Sequence, residues 1–586
     1  MIIQNIVFPK YGICSEYDLY FRLSNNSNYS HSNMFLFMPD GNWCHFDTYF
    51  NGFMIRKWKK YTTLDNLKLS IKMMGSFRIT ILYKDRLFNG EVINKKIKEV
   101  ELSSEKIETF DIPIQINENV GMYTFSIYSL KNGSIFYGGY YGTDLENNKK
   151  VKLGICICTF KRETFVRNNV ENIVSNIIGP EDNAEVFISD NAKTLTLKTT
   201  NPHIHIISNI NAGGAGGFTR CMIEIMAHPE YDITHLLMMD DDIVFDCESI
   251  LRTLALLKLL KPDLEGVCIG GAMLRLDQQS IQTESGAVWN GGRLISRKNN
   301  LNLSTCEACL YNDIEESVEY NAWWYCCIPR SFINEENLPV PIFFRGDDVE
   351  YGLRNTKIVI NMNGICVWHE PFENKYSSTL SYYIIRNRLI DNSVRNIPVP
   401  VNEMIKDIRN QWLVEMALLR YKNAHLLVDG ILDYLKGIDW LISVDVEKLN
   451  SEIISKGYKL VQLNDIDYEF NYEDYIKASN YSSSSLIVKM ADKYISGRTE
   501  VITIPVNYVN VHYCYKAKQI LNYDYHSGKG FMTEYSKEEE KNETKYFKNA
   551  ISYFRKKYKT VFDEYRDRSP EITNLAFWNK YLKLDD

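Results

Sequence analysis

The chain has no apolar run approaching the roughly 20 residues that span a bilayer, and its first residues lack the basic flank, apolar core and cleavage pattern of a leader. Neither a membrane span nor a signal peptide is expected. Positive charge is not in excess either: 67 Lys and Arg stand against 74 Asp and Glu, a net charge of −7, which gives no general drive towards nucleic acid. Cysteine is plentiful at 13, but the number is odd and no disulfide-framework spacing occurs. Cys306-x-x-Cys309 has no second pair with which to build a zinc site, and Cys156 and Cys158 alternate within an apparent strand. The thiols read as reduced and structural, as in a cytoplasmic protein.

What is present is length and aromatic surface. A chain of 586 residues has room for about three or four domains. Its 39 Tyr and 9 Trp include many in polar neighbourhoods, where a ring can stack on a sugar face, although most are expected to pack in cores. Over residues 1–148, the segments Leu67–Met73, Phe77–Tyr83 and Gly121–Tyr128 alternate apolar and polar positions, which predicts an antiparallel, jelly-roll-like β-sandwich. Aromatics cluster at Phe46-Asp-Thr-Tyr-Phe-Asn-Gly-Phe53 and at Trp58-Lys-Lys-Tyr61, either for sugar contact or for packing on the next domain.

From Val151 the pattern becomes α/β. Strands are expected at Val151–Thr159, Glu185–Asn191 and His203–Ser208, with a helix over Glu163–Ile178. This alternation implies a largely parallel sheet that collects ligand groups, Asp190 among them, at the C-terminal ends of its strands. Asn211-Ala-Gly213-Gly214-Ala-Gly-Gly217 opens the next helix, where bare backbone and free N–H groups suit an anion. A tight turn explains the glycines equally well, and no Gly-Lys-Ser/Thr follows.

The chemistry concentrates at Thr234-His-Leu-Leu-Met-Met-Asp240-Asp241-Asp242. An apolar strand delivers three carboxylates to its end, and alternation directs Asp240 and Asp242 the same way. Two carboxylates on one edge suit Mg²⁺ or Mn²⁺, which neutralises a substrate diphosphate, as in a nucleotide-sugar transferase; the competing reading is a solvated acidic turn. A helix near Glu248–Leu260 and a strand near Gly266–Ala272 follow. Trp323 and Trp324 lie in a strand-like stretch, so one indole should face inward as core and the other outward, available to an acceptor sugar.

In Phe343-Phe-Arg-Gly-Asp347-Asp348-Val-Glu350, Asp347 and Glu350 fit a capping box. That leaves Asp348 free in the first helical turn, where the charged form is favoured and suits a general base. Ile358–His369 reads as a β-hairpin ending at His369, an imidazole able to complete a metal site with Asp240 and Asp242. Beyond Ser381 the chain is helical to about residue 440, and again over Ser484–Tyr494 and Thr544–Tyr565. Tyr553-Phe-Arg-Lys-Lys-Tyr-Lys559 mixes base and ring as at an anionic lipid surface, though a solvated helix face is the preferred reading.

Taken in order, Phe46–Asn51, Asn211–Phe218, Asp240-Asp-Asp242, Trp323-Trp324, Asp347-Asp348-x-Glu350-Tyr-Gly-Leu-Arg354, Trp368-His369 and Phe577-Trp-x-x-Tyr581 resemble the galactan-polymerising bacterial galactofuranosyltransferases. These are inverting glycosyltransferases of the GT-A type. The resemblance implies a β-sandwich over 1–148, a GT-A nucleotide-sugar-binding domain over 149–395 and a helical region over 396–586. It implies a UDP-sugar donor, a glycan or glycolipid acceptor, and Mn²⁺ or Mg²⁺ held by Asp240, Asp242 and His369. Thr159 and Arg162 would lie near the nucleotide, with Asp190, Asn211, Gly213, Gly214 and Asp241 shaping the donor site. Trp323 and Trp324 would meet the acceptor, and Asp348, beside Asp347, would take its proton. Galactofuranose is the implied sugar; another donor such as dTDP-rhamnose, and a catalytically inactive glycan-binding protein, are the alternatives. Peripheral contact with the inner face of the cell membrane and self-association stay open. Two positions depart from the family pattern: Gly346 stands where a Trp is expected, and Ile384 where a His is expected.

Overall fold

The computed structural model describes the chain except residues 147–148, 179–182, 198, 265, 467, 469, 481–499, 508–510, 515–516 and 586. The helix expected over Ser484–Tyr494 lies outside the described residues.

The N-terminal part is an antiparallel β structure whose alternating apolar side chains, among them Leu69, Ile71, Phe77, Ile79 and Ile81, are fully buried. The two strands expected at 67–73 and 77–83 are one, Leu67–Arg86, because Gly75 adopts φ +102 at a bulge and keeps the strand continuous. Its first half pairs with Ser134–Gly142 and its second half with Met122–Ser129, so that ten strands share one hydrogen-bonded network. The long partner strand Val92–Ile114 is exposed over much of its length, and polar runs separate the apolar residues Ile97, Val100, Leu102, Phe110, Ile112 and Ile114 that pack on the core.

The aromatic stretch 46–58 is core. Phe46, Tyr49, Phe50, Phe53 and Trp58 are all fully buried, which excludes sugar contact and supports packing on the next domain: the Phe50 ring lies 5.9 Å from that of Trp368. Polar contacts fix the same junction. The Asn5 backbone N–H and side-chain amide each donate to Glu248 at 2.8 Å, Arg252 donates to Glu248 at 2.8 Å, and Lys10 pairs with Asp246 at 2.9 Å.

The second sheet has nine strands. Ile204–Ser208, Ala184–Asp190, Leu153–Thr159 and His235–Asp240 run parallel in that order. Tyr325–Pro329 then pairs antiparallel with His235–Asp240 and with Val267–Arg275, so the sheet is parallel on one side and mixed on the other. Ile358–His369 is not a hairpin. It is one strand parallel to Val267–Arg275, and the turn-like Asn-Met-Asn-Gly364 is absorbed as a bulge with Gly364 at φ +77.

The C-terminal region is not wholly helical. Helices Thr379–Val394, Val401–Ala417, Tyr421–Tyr434 and Lys537–Arg568 pack around Ile408, Leu427, Ile431, Phe554 and Tyr565, but Val461–Gln462, Lys529–Glu534, Ala517–Asp524 and Glu500–Pro505 form a four-stranded sheet. These short strands owe their place to packing on Leu418, Leu419 and Tyr421, a tertiary influence that local pattern does not carry. The last helix, Leu575–Tyr581, returns to the nine-stranded core, where the buried Trp578 indole donates to the Pro339 carbonyl at 2.9 Å. No described helix is long and apolar enough to cross a membrane.

Candidate active site

A cavity of ≈ 700 Å³ opens where several of these elements end. Asp240, Asp241 and Asp242 enter it from the end of the strand His235–Asp240, His369 from the end of Ile358–His369, and Asp347 and Asp348 from the start of the helix Asp347–Asn355.

The strand stops at Asp240, so Asp242 reaches the cavity through the following turn and not by strand alternation. The outcome is convergence all the same. Ligand atoms of Asp240, Asp242 and His369 lie within 4.8 Å of one another. Positive groups crowd the same point: Lys375 Nζ is 2.6 Å from Asp242 Oδ2 and 3.1 Å from His369 Nε2, and Arg162 reaches Asp242 Oδ2 at 2.9 Å. Burial works to raise the Asp242 pKa, but the hydrogen bond and charge of His369, with Lys375 and Arg162, hold it well below the usual range. Burial raises Asp240 against the charge of His369. Burial and the adjacent Asp242 push Asp241 up to about 7, although it accepts a hydrogen bond from Thr159 at 2.8 Å. Two carboxylates and an imidazole around a point that already attracts an ammonium fit a hard divalent cation.

The second acidic pair is built differently from the expectation. The N-cap of its helix is Gly346 at φ +115, no side chain caps the helix, and Glu350 instead pairs with Arg354 at 2.9 Å, so the capping box does not form. Nor does the helix end favour the charged form of Asp348. Burial outweighs the Val349 N–H, which donates to it at 2.9 Å, and the Arg345 charge, and pushes its pKa up to about 6. Asp347 is raised further, by burial and by the neighbouring Asp348. The loop before them is strained, with Phe343 at φ +77 and Arg345 at φ +66. Asn387 holds it by donating to the carbonyls of Ile342, Phe344 and Arg345 at 3.0, 2.7 and 2.9 Å.

Trp323 and Trp324 precede their strand and do not alternate within it. Both border the cavity and both are nearly fully buried, with the Trp324 indole donating to the Gly271 carbonyl at 2.9 Å. Arg162 and Gly214 also border the cavity, whereas Thr159, Asp190, Asn211 and Gly213 are not part of its lining. Asp190 accepts from the backbone of Ala192 and Leu195 at 3.0 and 2.7 Å, which shapes its own loop. Asn211 accepts from the Gly213 N–H at 3.3 Å. A side chain at Gly213, φ +68, would overlap the Phe343 carbonyl, so this glycine serves close packing on the strained loop. Reading by sequence missed Lys375, whose signal was a base six residues after His369, and Asp391, an acid on the buried face of a helix.

Residues 3–143 match the family Galactofuranosyltransferase 2 N-terminal. The galactofuranosyltransferase GlfT2 of Mycolicibacterium smegmatis is 25% identical over 442 residues, 70% of this chain and 67% of the relative. That of Mycobacterium tuberculosis is 26% identical over 432 residues, 68% of this chain and 66% of the relative. Among solved structures the likenesses are distant: a Pyrobaculum calidifontis mannosyltransferase in complex with GDP-Man and Mn²⁺ (11% identity, TM-score 0.28, 53% of this chain and 82% of that one) and the Mycobacterium tuberculosis glucosyl-3-phosphoglycerate synthase with Mn²⁺ and UDP-glucose (12%, TM-score 0.28, 42% and 81%). The family match over residues 3–143 and the two curated relatives support a glycosyltransferase of the GlfT2 galactofuranosyltransferase type.

Proposed function

We propose that this glycosyltransferase moves galactofuranose from UDP-galactofuranose to the growing end of a cell-surface glycan, with inversion at the anomeric carbon. The observation that carries this reading is the meeting of Asp240, Asp242 and His369 in one cavity with Asp348. The first three would hold Mn²⁺ or Mg²⁺, which when bound neutralises the donor diphosphate. Arg162 and Lys375, already drawn to Asp242, place further positive charge beside the departing UDP. Thr159 fixes Asp241 at the edge of the donor site.

Asp348 acts as general base. With its pKa lifted to about 6 it is ionised at neutral pH, yet basic enough to accept a proton from a hydroxyl. The acceptor oxygen forms its bond to the anomeric carbon as the bond to the diphosphate breaks and the hydroxyl proton passes to Asp348. Trp323 and Trp324 provide apolar wall against the acceptor. In this reading the domains divide as a β-sandwich over 1–148, a GT-A core over 149–395 and a C-terminal region over 396–586. The enzyme works in the cytoplasm on a glycan presented at the inner face of the membrane.

The test is NMR of products formed from UDP-galactofuranose, UDP-galactopyranose and dTDP-rhamnose offered in parallel. New β-galactofuranosyl signals from the first donor alone support the proposal. Product from dTDP-rhamnose in its place overturns the donor, and retention of configuration overturns the mechanism.

A further inference from the structure

One end of the cavity holds polar groups that the transfer step does not use. Asp391, on the helix Thr379–Val394, is only 1% exposed, and among the described residues neither carboxylate oxygen has a hydrogen-bond partner. One turn back, Arg388 is spent in part: its Nη2 donates to Asp407 at 2.9 Å, but its Nε is buried without a partner. Such groups cost folding free energy unless something else satisfies them.

Two glycines stand directly against these atoms. A side-chain carbon at Gly346, φ +115, would overlap Asp391 Oδ2, and one at Gly292, φ +92, would overlap Arg388 Nε. Both glycines border the cavity, as do Asp391 and Arg388. Gly292 lies at the turn of the hairpin Ala287–Asn290 and Arg293–Ser296, which also supplies Trp289 to the wall. The Trp289 indole is held in place by donating to Asn392 at 2.9 Å. A half-buried ring, an unpartnered carboxyl and an unpartnered guanidinium N–H, all on residues that border one cavity, make a set that can bind a sugar: the ring covers its apolar face, one hydroxyl donates to the carboxyl oxygen and another accepts from the guanidinium. Gly346 directly precedes Asp347 and Asp348, so this space adjoins the proposed base.

We propose that Asp391, Arg388 and Trp289 form a subsite that binds a sugar ring of the acceptor adjacent to the one receiving the transferred unit, and so select acceptors longer than one sugar. The proposal rests on the reading of the cavity as a glycan-acceptor site. Burial and the neighbouring carboxylates of Glu350, Asp347 and Asp348 favour a protonated Asp391, which adds a donor to its acceptor oxygens.

The experiment is calorimetric titration of galactofuranosyl mono-, di- and trisaccharides into the protein saturated with UDP and Mn²⁺, for wild type, Asp391→Leu and the isosteric Asp391→Asn, with UDP affinity and thermal melting measured alongside. The expected result is that Asp391→Leu weakens the di- and trisaccharides about tenfold but not the monosaccharide. UDP affinity and melting temperature hold, and Asp391→Asn keeps part of the affinity. In turnover the loss falls on the acceptor KM and spares kcat. A folded Asp391→Leu protein that binds the longer acceptors like wild type overturns the subsite, as does equal loss for all three lengths. Should the Leu variant not fold, undiminished affinity in Asp391→Asn overturns it and a length-dependent loss supports it. The parent reading fails separately: wild type that binds these acceptors but transfers no galactofuranose contradicts the proposed function and leaves the subsite standing.

Discussion

Lys375 lies 133 residues beyond Asp242 in sequence, yet its ammonium donates to the Asp242 carboxylate at 2.6 Å and sits 3.1 Å from His369 Nε2. A positive side chain thus contacts two of the three groups assigned to the metal. Without nucleotide, a divalent cation has to displace it. Lys375→Met is therefore expected to bind Mn²⁺ more tightly than wild type, by about three- to tenfold, in a calorimetric or EPR titration of the nucleotide-free protein. Equal or weaker binding would show that the ammonium does not compete. The same variant is expected to turn over more slowly, since it loses positive charge beside the diphosphate.

Asp348→Asn is expected to lower kcat by roughly 10²- to 10⁴-fold while UDP affinity is retained. In wild type the base has to be ionised, so kcat/KM should rise with pH through about 6 and level off above it. A flat profile between pH 5 and 8 would remove Asp348 from this role.

The same group makes a stability prediction of definite sign. Its folded pKa of about 6 lies above the value of about 3.9 in an unfolded chain, so the stability it contributes is complete below about pH 4 and is lost as pH rises through 6. Asp348→Asn should therefore melt higher than wild type at pH 8, with the gain fading towards pH 4. Melting curves across that range decide it, and a variant that melts lower at pH 8 contradicts the assignment.

Gly213 is assigned to packing against the strained loop rather than to ligand. Gly213→Ala should cost about 1–3 kcal/mol of stability, read as a lower denaturation midpoint, because both φ +68 and the Phe343 carbonyl oppose a side chain. UDP affinity of the folded fraction should be nearly unchanged. Loss of UDP binding without loss of stability would return Gly213 to the donor site.

The acids, the histidine and the paired indoles were legible in the sequence because their local strings are dense in chemistry, and they do meet in one cavity. Their geometry was less legible. Asp242 reaches the cavity through a turn, and Trp323 and Trp324 precede their strand, so strand alternation applies at neither place. The capping box failed because Gly346, at φ +115, took the N-cap one residue earlier, and helix-end electrostatics at Asp348 gave way to desolvation. Val92–Ile114 and the four-stranded C-terminal sheet escaped for a different reason: in the first, polar runs such as Asn94-Lys-Lys96 and Ser103-Ser-Glu-Lys106 interrupt the spacing of the apolar residues that pack on the core, and the second depends on distant packing partners. Lys375 and Asp391 carry only faint local signals, because their meaning lies in what they face across the fold.

The most direct test of the account is mass spectrometry of products from the purified protein, UDP-galactofuranose and short galactofuranosyl acceptors, with Mn²⁺ or with chelator, for wild type and Asp348→Asn. The account predicts added hexose units only for wild type and only with metal. Hexose addition that persists in chelator, or that Asp348→Asn performs at the wild-type rate, would contradict it.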